Sequence, residues 1–306
     1  MSGAGVAVRD AATDSLTFAF ADAAAERCGL ARLGVVTGTD GERRGSALAV
    51  LFAGREPVAA LARGDLPVPA GADWSDLDVD GLRVRTAAPG DPTQRTASAG
   101  TGTHWEVEWA ASDGQGFTLA FEAVGAPATL APDAPAARAG GMAGADAPCR
   151  VRGTVRTAGR SVEVDGLGQQ SRAWGNPDWS RIELARTVAA WTPAASAAFL
   201  AVRPAGARHH DEEAAWAALW EGEQPMAVAD GRLSTSYDAA GHPFRAALEL
   251  WPEGEDAWPR HGAGQVLCGT SLDLGALRLD CGFFRWHLEG REGVGRYDVL
   301  RRAAAG

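Results

Sequence analysis

Apolar and polar residues alternate with a period of two along most of this chain. The clearest case is His104-Trp-Glu-Val-Glu-Trp109, with Trp105, Val107 and Trp109 on one face and His104, Glu106 and Glu108 on the other. Successive side chains on a strand point to opposite faces, so this pattern predicts a half-buried strand. The turn Ser112-Asp-Gly-Gln-Gly116 folds it back into Phe117–Ala123 as a hairpin. The same reading predicts strands at Leu16–Phe20, Leu30–Val36, Ala47–Phe52 and Leu82–Thr86, with Pro67–Asp78 as a loop. Strands follow at Arg150–Arg156, Ser161–Asp165, Ile182–Trp191, Ala198–Val202, Trp216–Trp220, Leu233–Tyr237, Phe244–Trp251, Gln265–Cys268, Leu277–Phe284 and Tyr297–Arg301. Helical spacing is scarce, with room for one or two turns at His210–Leu219. Gly125–Pro148 is rich in Ala, Pro and Gly, lacks a strand pattern, and reads as a linker. The expectation is an all-β chain of two packed barrel or sandwich domains, residues 1–125 and 149–306, joined by 126–148.

Composition narrows the function. The formal charge of the 306 residues is −10 and every basic residue is Arg. An acidic chain without a basic run argues against nucleic acid and anionic membranes as partners. Met1–Asp14 has no basic stretch followed by an apolar run, and no stretch reaches the ~18 apolar residues of a membrane span, which predicts a cytoplasmic protein. Cys28, Cys149, Cys268 and Cys281 form no C-x-x-C pair and read as reduced core thiols. His209-His-Asp-Glu-Glu213 is the densest set of metal-ligand types, but neighbours on an extended chain diverge, so it reads as a polar loop. Nucleotide loops and hydrolase motifs are missing from the sequence. Together these features predict that no metal and no cofactor is used.

Carboxylates beside aromatics remain. Gly166-Leu-Gly-Gln-Gln-Ser-Arg-Ala-Trp-Gly-Asn-Pro-Asp-Trp179 packs glycines, two indoles, a proline and Asp178 into one stretch. It reads either as a rigid structural corner or as the wall of a pocket in which Asp178 holds or moves a proton. Burial beside indole would keep Asp178 neutral and able to act as an acid; pairing with Arg172 or Arg181 would make it an ionised strut. In the second case Glu106 or Glu108 becomes the acid, if their face lines a lumen and not solvent. Asp280 is a further candidate, while His104 and His287 read as strand-end histidines. Eleven Trp and nine Phe against two Tyr suit a core, and part of them suits an apolar cavity.

The same stretch resembles the motif of the carotenoid hydratase/AttH-like superfamily, a two-domain lipocalin-like group that includes fungal Diels–Alderases. Its pattern runs roughly Gly-x-Gly-x-Arg-Asp-His/Arg-Ser-Trp-Gly-x-Arg-Asp-Trp. Gly166, Gly168, Arg172, Trp174, Gly175, Asp178 and Trp179 match, whereas Gln170, Ser171, Ala173 and Pro177 replace Arg, Asp, Ser and Arg. Asp14–Phe20, Gly29–Gly34, Cys149–Gly166, Gly282–Trp286 and Gly293–Leu300 support it by order and spacing. The resemblance implies lipocalin-like domains and cofactor-free chemistry on a hydrophobic isoprenoid or polyene small molecule. It implies a hydratase or cyclase that protonates an alkene in an aromatic pocket by a buried carboxylic acid, for which the carboxylates beside aromatics offer Asp178, Glu106 or Glu108. Trp105, Trp109, Trp174, Trp179, Arg172, Phe284 and Trp286 are then candidates to bind the substrate. A Diels–Alderase-type pericyclase and a non-catalytic lipid or pigment carrier are the alternatives. A carboxyl inside the largest apolar pocket would separate enzyme from carrier.

Overall fold

The computed structural model describes residues 12–22, 24, 26–69, 71–86, 104–207, 209–254 and 258–303. Most of the N-terminal stretch on which the expectation of a leaderless chain rests, residues 1–11, lies outside them. The first sheet is built from β1 (Ala12–Asp22), β2 (Arg27–Thr37), β3 (Arg43–Ala53), β4 (Glu56–Pro67), β5 (Asp76–Val79), β6 (Leu82–Thr86), β7 (His104–Ala110), β8 (Gly116–Ala123), β9 (Ala128–Leu130), β10 (Met142–Thr157) and β11 (Arg160–Gly175). A six-residue helix α1 (Pro135–Gly140) lies between β9 and β10. The second sheet holds β12 (Ile182–Trp191), β13 (Ser196–Pro204), β14 (Ala214–Trp220), β15 (Pro225–Tyr237), β16 (Pro243–Pro252), β17 (Arg260–Asp273), β18 (Leu277–Leu288) and β19 (Arg291–Arg302).

β12 to β19 close into an eight-stranded barrel with every neighbour in chain order. The first sheet runs β4-β3-β2-β1-β11-β10-β8-β7-β6-β5, with β9 added beside β10. It curls until its two ends share one core, where Phe18, Leu33 and Leu51 meet Val84, Trp105, Trp109 and Phe121. The two-domain, all-β architecture expected from the alternation is therefore present.

Each sheet has a second buried face. On β1, Leu16, Phe18 and Phe20 point into the first core, while Ala19 and Ala21 point outward, as do Leu30 on β2 and Val50 and Phe52 on β3. These outward residues meet Ala189 and Trp191 of β12, Cys281 and Phe283 of β18 and Val294 of β19. The even positions of β12, such as Val188 and Ala190, fill the interior of the closed barrel instead. The strands at the junction are thus buried on both faces, which explains their near-continuous apolar runs.

Three expectations change. Gly166–Gly175 is not a corner but the end of β11. The missing Cβ atoms matter because a Cβ on Gly166 would sit 2.0 Å from the Ala21 carbonyl oxygen and one on Gly168 2.3 Å from that of Ala19. The motif lets β11 lie tightly against β1. Second, the supposed linker 126–148 holds β9, α1 and the start of β10, with Leu130, Ala136, Ala137, Ala143 and Ala147 buried. Its alanines are small enough to be packed on every side, so they leave no alternation to read. Residue 148 falls inside β10, and the chain passes from one sheet to the other between Gly175 and Ile182. Third, the expected loop Pro67–Asp78 is trimmed to residues 68–75 by β4 and β5; β4, not expected from the pattern, is an edge strand with mixed exposure and little apolar signal.

Phe52 and Phe283 meet edge to face across the junction, with ring centroids 5.9 Å apart. Truncating either to Ala should cost about 3–5 kcal/mol. A double-mutant cycle followed by denaturant unfolding should return a coupling of roughly 0.5–1.5 kcal/mol. Strict additivity would mean that the rings do not interact across the sheets.

Candidate active site

Strand register creates the site. Asp146 on β10 lies opposite Ser171 on β11, Ser171 opposite Thr17 on β1, Thr17 opposite Arg32 on β2, and Arg32 opposite Leu48 on β3. Directly paired residues share a face, so these five form one row on the outward face of the first sheet. On the facing barrel, Asp298 of β19 pairs with Thr187 of β12, and Thr187 with Leu200 of β13. Arg296 lies two residues before Asp298 and therefore on the same face. The two rows enclose a cavity of about 740 Å³. α1 closes part of its wall through Ala136 and Gly140, beside Trp179 and Trp216. Most of the remaining wall is aliphatic or small, so the cavity is less aromatic than the sequence suggested.

The polar groups in this cavity are linked. The Trp191 indole Nε1 donates to Gln169 Oε1 at 3.4 Å, and Gln169 Nε2 donates to Ser171 Oγ at 3.0 Å. Both Gln169 and Ser171 also hydrogen-bond the Asp146 carboxyl. Asp146 is half-buried by surface, yet that surface faces the cavity and not bulk solvent. Burial drives its carboxyl above the ordinary range; the Ser171 and Gln169 hydrogen bonds and the Arg296 charge oppose this only in part. Burial likewise pushes Asp298 up, against the pull of Arg296 and Arg32. Arg296 Nη1 stands 3.4 Å from Asp298 Oδ2, and its own Nε is buried without a partner among the described residues. Arg32 Nη2 donates to Ser15 Oγ at 3.3 Å.

The residues expected from sequence divide. Trp179 and Arg172 line the cavity. Arg172 forms a two-pronged pair with Asp14, at 3.1 and 2.8 Å, and does not pair with Asp178. Its guanidinium carbon lies 5.8 Å from the Trp174 ring centroid, and Trp174 itself is exposed. Asp178, expected to be partly buried, is exposed: it accepts from Ser180 Oγ at 2.6 Å and Ser180 N at 3.0 Å. These hydrogen bonds hold its carboxyl below the ordinary range, so it is an ionised cap on a turn. Glu106 pairs with Arg85 at 2.9 Å on the half-exposed face of the first sheet, and Glu108 beside it is exposed. Trp105 and Trp109 are buried in the first core, and Phe284 and Trp286 in the closed barrel.

The remaining candidates lie elsewhere. Asp280 is buried outside the cavity; burial raises its carboxyl, but Ser271, Arg278 and Arg301 prevail and hold it ionised. Glu213 turns inward to Arg186 and Arg203, while Asp211 and Glu212 stay exposed, so the acidic loop does not converge. Cys28, Cys149, Cys268 and Cys281 are buried thiols, and among the described residues they form no disulfide.

Sequence reasoning missed Asp146, Arg32, Arg296 and Asp298. Asp146 was hidden in the supposed linker, where it is the one charged residue between Ala139 and Cys149. The others interrupt strand-like runs, Leu30-Ala-Arg-Leu33 and Gly295-Arg-Tyr-Asp-Val299. A charge on the outward face of a doubly buried strand was the available signal.

Asp178→Asn should retain the turn, because Asn caps as Asp does. Expected are an unchanged activity and a melting temperature within about 2 °C of the parent at pH 7. Loss of activity in a folded D178N protein would return Asp178 to the chemistry.

The fold is shared with solved structures of low sequence identity. An AttH-like protein from Nitrosomonas europaea superposes with a TM-score of 0.64 at 13% identity, covering 96% of this chain and 93% of its own. CghA, solved with Sch210972, gives 0.61 at 12% identity, covering 97% and 90%. Kievitone hydratase from Nectria haematococca gives 0.63 at 10% identity, covering 94% and 88%. The resemblance to the carotenoid hydratase/AttH-like superfamily thus holds as a likeness of fold. No curated protein matches the chain in sequence. Among the described residues no helix is long and apolar enough to cross a membrane. Residues 7–303 match the profile of a family described as "Domain of unknown function (DUF7064)", and the chain belongs to that family.

Proposed function

We propose that the chain is an enzyme of the hydratase, cyclase or pericyclase kind, acting on a hydrophobic small molecule in the cavity between the two sheets. Asp146 is its acid. The observation that carries this reading is a carboxyl that burial raises above the ordinary range, beside Ser171 and Gln169, at the wall of the cavity between the two sheets. A carboxyl pushed toward its neutral form is better placed to donate a proton or a hydrogen bond. A carrier of apolar ligands has no use for one, which favours an enzyme.

Two routes use such a donor. In the first, the Asp146 O–H bond breaks and an alkene π pair forms a C–H bond, leaving a carbocation and a carboxylate. Water or a second alkene captures the cation, and the proton finally released returns to Asp146. In the second, Asp146 keeps its proton and donates a hydrogen bond to a conjugated carbonyl, lowering the barrier to cycloaddition. Arg296 weighs between them. A guanidinium facing Asp146 repels a carbocation but stabilises an oxygen that gains negative charge. The pericyclase route is therefore preferred over the alkene protonation that the sequence suggested. Neither route calls for a cofactor.

Isoprenoids and linear polyenes, with and without a conjugated carbonyl, can be incubated with the protein in D2O. Hydration adds the elements of D2O, protonation-driven cyclisation exchanges hydrogen for deuterium, and a pericyclic product keeps the mass of its substrate. The carbonyl-bearing polyenes should turn over without gain of mass, and Asp146→Asn should slow them by about a hundredfold or more. Full turnover by folded D146N protein would sink the assignment. Stability gives a second reading. The folded-state pKa of Asp146 is raised, so the native state loses stability as pH climbs through the ordinary carboxylate range toward the raised value. D146N protein should then melt at or above the parent temperature at pH 7, and the gap should close below about pH 4.

A further inference from the structure

The two walls of the cavity differ in chemistry. On the first sheet one row runs through Gly144 on β10, Ala173 on β11, Ser15 on β1, Gly34 on β2 and Ser46 on β3, each paired with the next. All of them line the cavity, and none has a side chain larger than a hydroxymethyl group. They form a trough across five strands, about 19 Å long at about 4.8 Å per strand spacing. Thr13 and Thr17 stand two residues to either side of Ser15 on β1, share its face, and border the trough with hydroxyls. The apolar side chains Val36, Leu48 and Met142 flank this polar centre on β2, β3 and β10. The barrel wall is hydrocarbon where it lies furthest from the apolar junction. Leu279 on β18, Leu300 on β19, Ala185 on β12 and Val202 on β13 pair in one row and line the same cavity. Its polar residues, Thr187, Asp298 and Arg296, fall in the next rows toward Ala189 and Phe283 of the junction. Among the described residues the hydroxyls of Thr13, Thr17 and Ser46 have no hydrogen-bond partner. A bare hydrocarbon ligand would strip them of water and return nothing, which costs affinity at each hydroxyl. A ligand polar all round would waste the aliphatic row.

We infer that the cavity selects an elongated hydrocarbon skeleton that carries neutral oxygens, hydroxyl or ketone, along one long side only. The oxygen-bearing side meets the hydroxyls of Thr13, Thr17 and Ser46, and the bare side lies on Leu279, Leu300, Ala185 and Val202. The substrate class narrows from hydrophobic molecules in general to skeletons oxygenated on one side. Asp146, two residues from Gly144, stands beside the β10 end of the trough and addresses that end of the ligand. This inference rests on the cavity being the substrate site.

Lithocholate, deoxycholate and cholate share one rigid skeleton and one carboxylate, and in that order carry more hydroxyls on a single face. Each added hydroxyl opposes transfer from water to an apolar site, so a plain apolar cavity would bind cholate least. Displacement of the fluorescent dye N-phenyl-1-naphthylamine reads the three affinities. The parent protein should bind cholate at least as tightly as lithocholate. Thr13→Val combined with Thr17→Val removes two hydroxyls at nearly constant shape. It should lower the ratio of cholate to lithocholate affinity by about tenfold, with no loss of melting temperature. Thr13→Ser combined with Thr17→Ser keeps the hydroxyls and should keep the ratio. Ala185→Trp, which fills the cavity, should remove the dye. A parent protein that favours lithocholate, a ratio unmoved in folded T13V/T17V protein, or a bound dye that no bile acid displaces overturns the one-sided selection and leaves Asp146 standing. Failure of the parent to bind the dye, or dye binding that survives in folded A185W protein, sinks the cavity as the ligand site and both readings with it. The expected ratios together with full turnover by D146N protein remove the acid and keep the one-sided selection.

Discussion

Burial of the strands on both faces governs this molecule. β1, β2, β3, β12, β18 and β19 each present one side chain set to a barrel core and the other to the opposite sheet. A strand in that position cannot relieve a poor fit by turning a residue to solvent. Its outward positions must be apolar, or polar and satisfied, or charged for a reason. The junction shows all three. Ala19, Phe52, Trp191 and Phe283 pack at its apolar part, Gln169 and Ser171 form a hydrogen-bonded relay, and Arg32, Asp146, Arg296 and Asp298 stand around the cavity.

The electrostatic behaviour follows from that confinement. Low polarisability drives Asp146 and Asp298 toward their neutral forms, whereas Asp178, wetted and capped by Ser180, is driven the other way. Two carboxyls of identical chemistry are thereby shifted in opposite directions by position alone. Asp280 marks the limit of the rule. It is as deeply buried as any carboxyl here, yet Arg278, Arg301 and Ser271 surround it and keep it ionised. Burial makes an acid only where the matching cations are too few.

A two-barrel fold shared with an AttH-like protein, CghA and kievitone hydratase at 10–13% identity fixes where a site can lie, not what it does. In both sheets the last strand in the chain pairs with the first, and in both a Gly-x-Gly step allows the close approach. Gly166 and Gly168 on β11 approach β1, and Gly293 and Gly295 on β19 approach β12, where added Cβ atoms would lie 2.0 and 1.9 Å from carbonyl oxygens. β11 and β19 supply Ser171, Arg296 and Asp298 to the wall of the same cavity.

The sequence by itself determined the fold class. Alternation such as that of His104–Trp109 depends on neighbours two residues apart and needs no tertiary information. It also located the Gly166–Trp179 stretch, and with it Arg172 and Trp179 at the cavity. It could not show that 126–148 is structured, since alanine buried on all sides leaves no period. Nor could it rank the carboxylates. Asp178 and Glu106 stand beside tryptophans and Asp146 between two alanines, yet sequence neighbours do not decide which carboxyl is buried. The pKa of a carboxyl depends on what lies across space, and here that is decided by register. Asp146, Ser171, Thr17 and Arg32 come from four strands spread over the first 171 residues, and Arg296 and Asp298 arrive from the far end of the chain. Only the packing of one sheet on the other brings them within reach of a single charge.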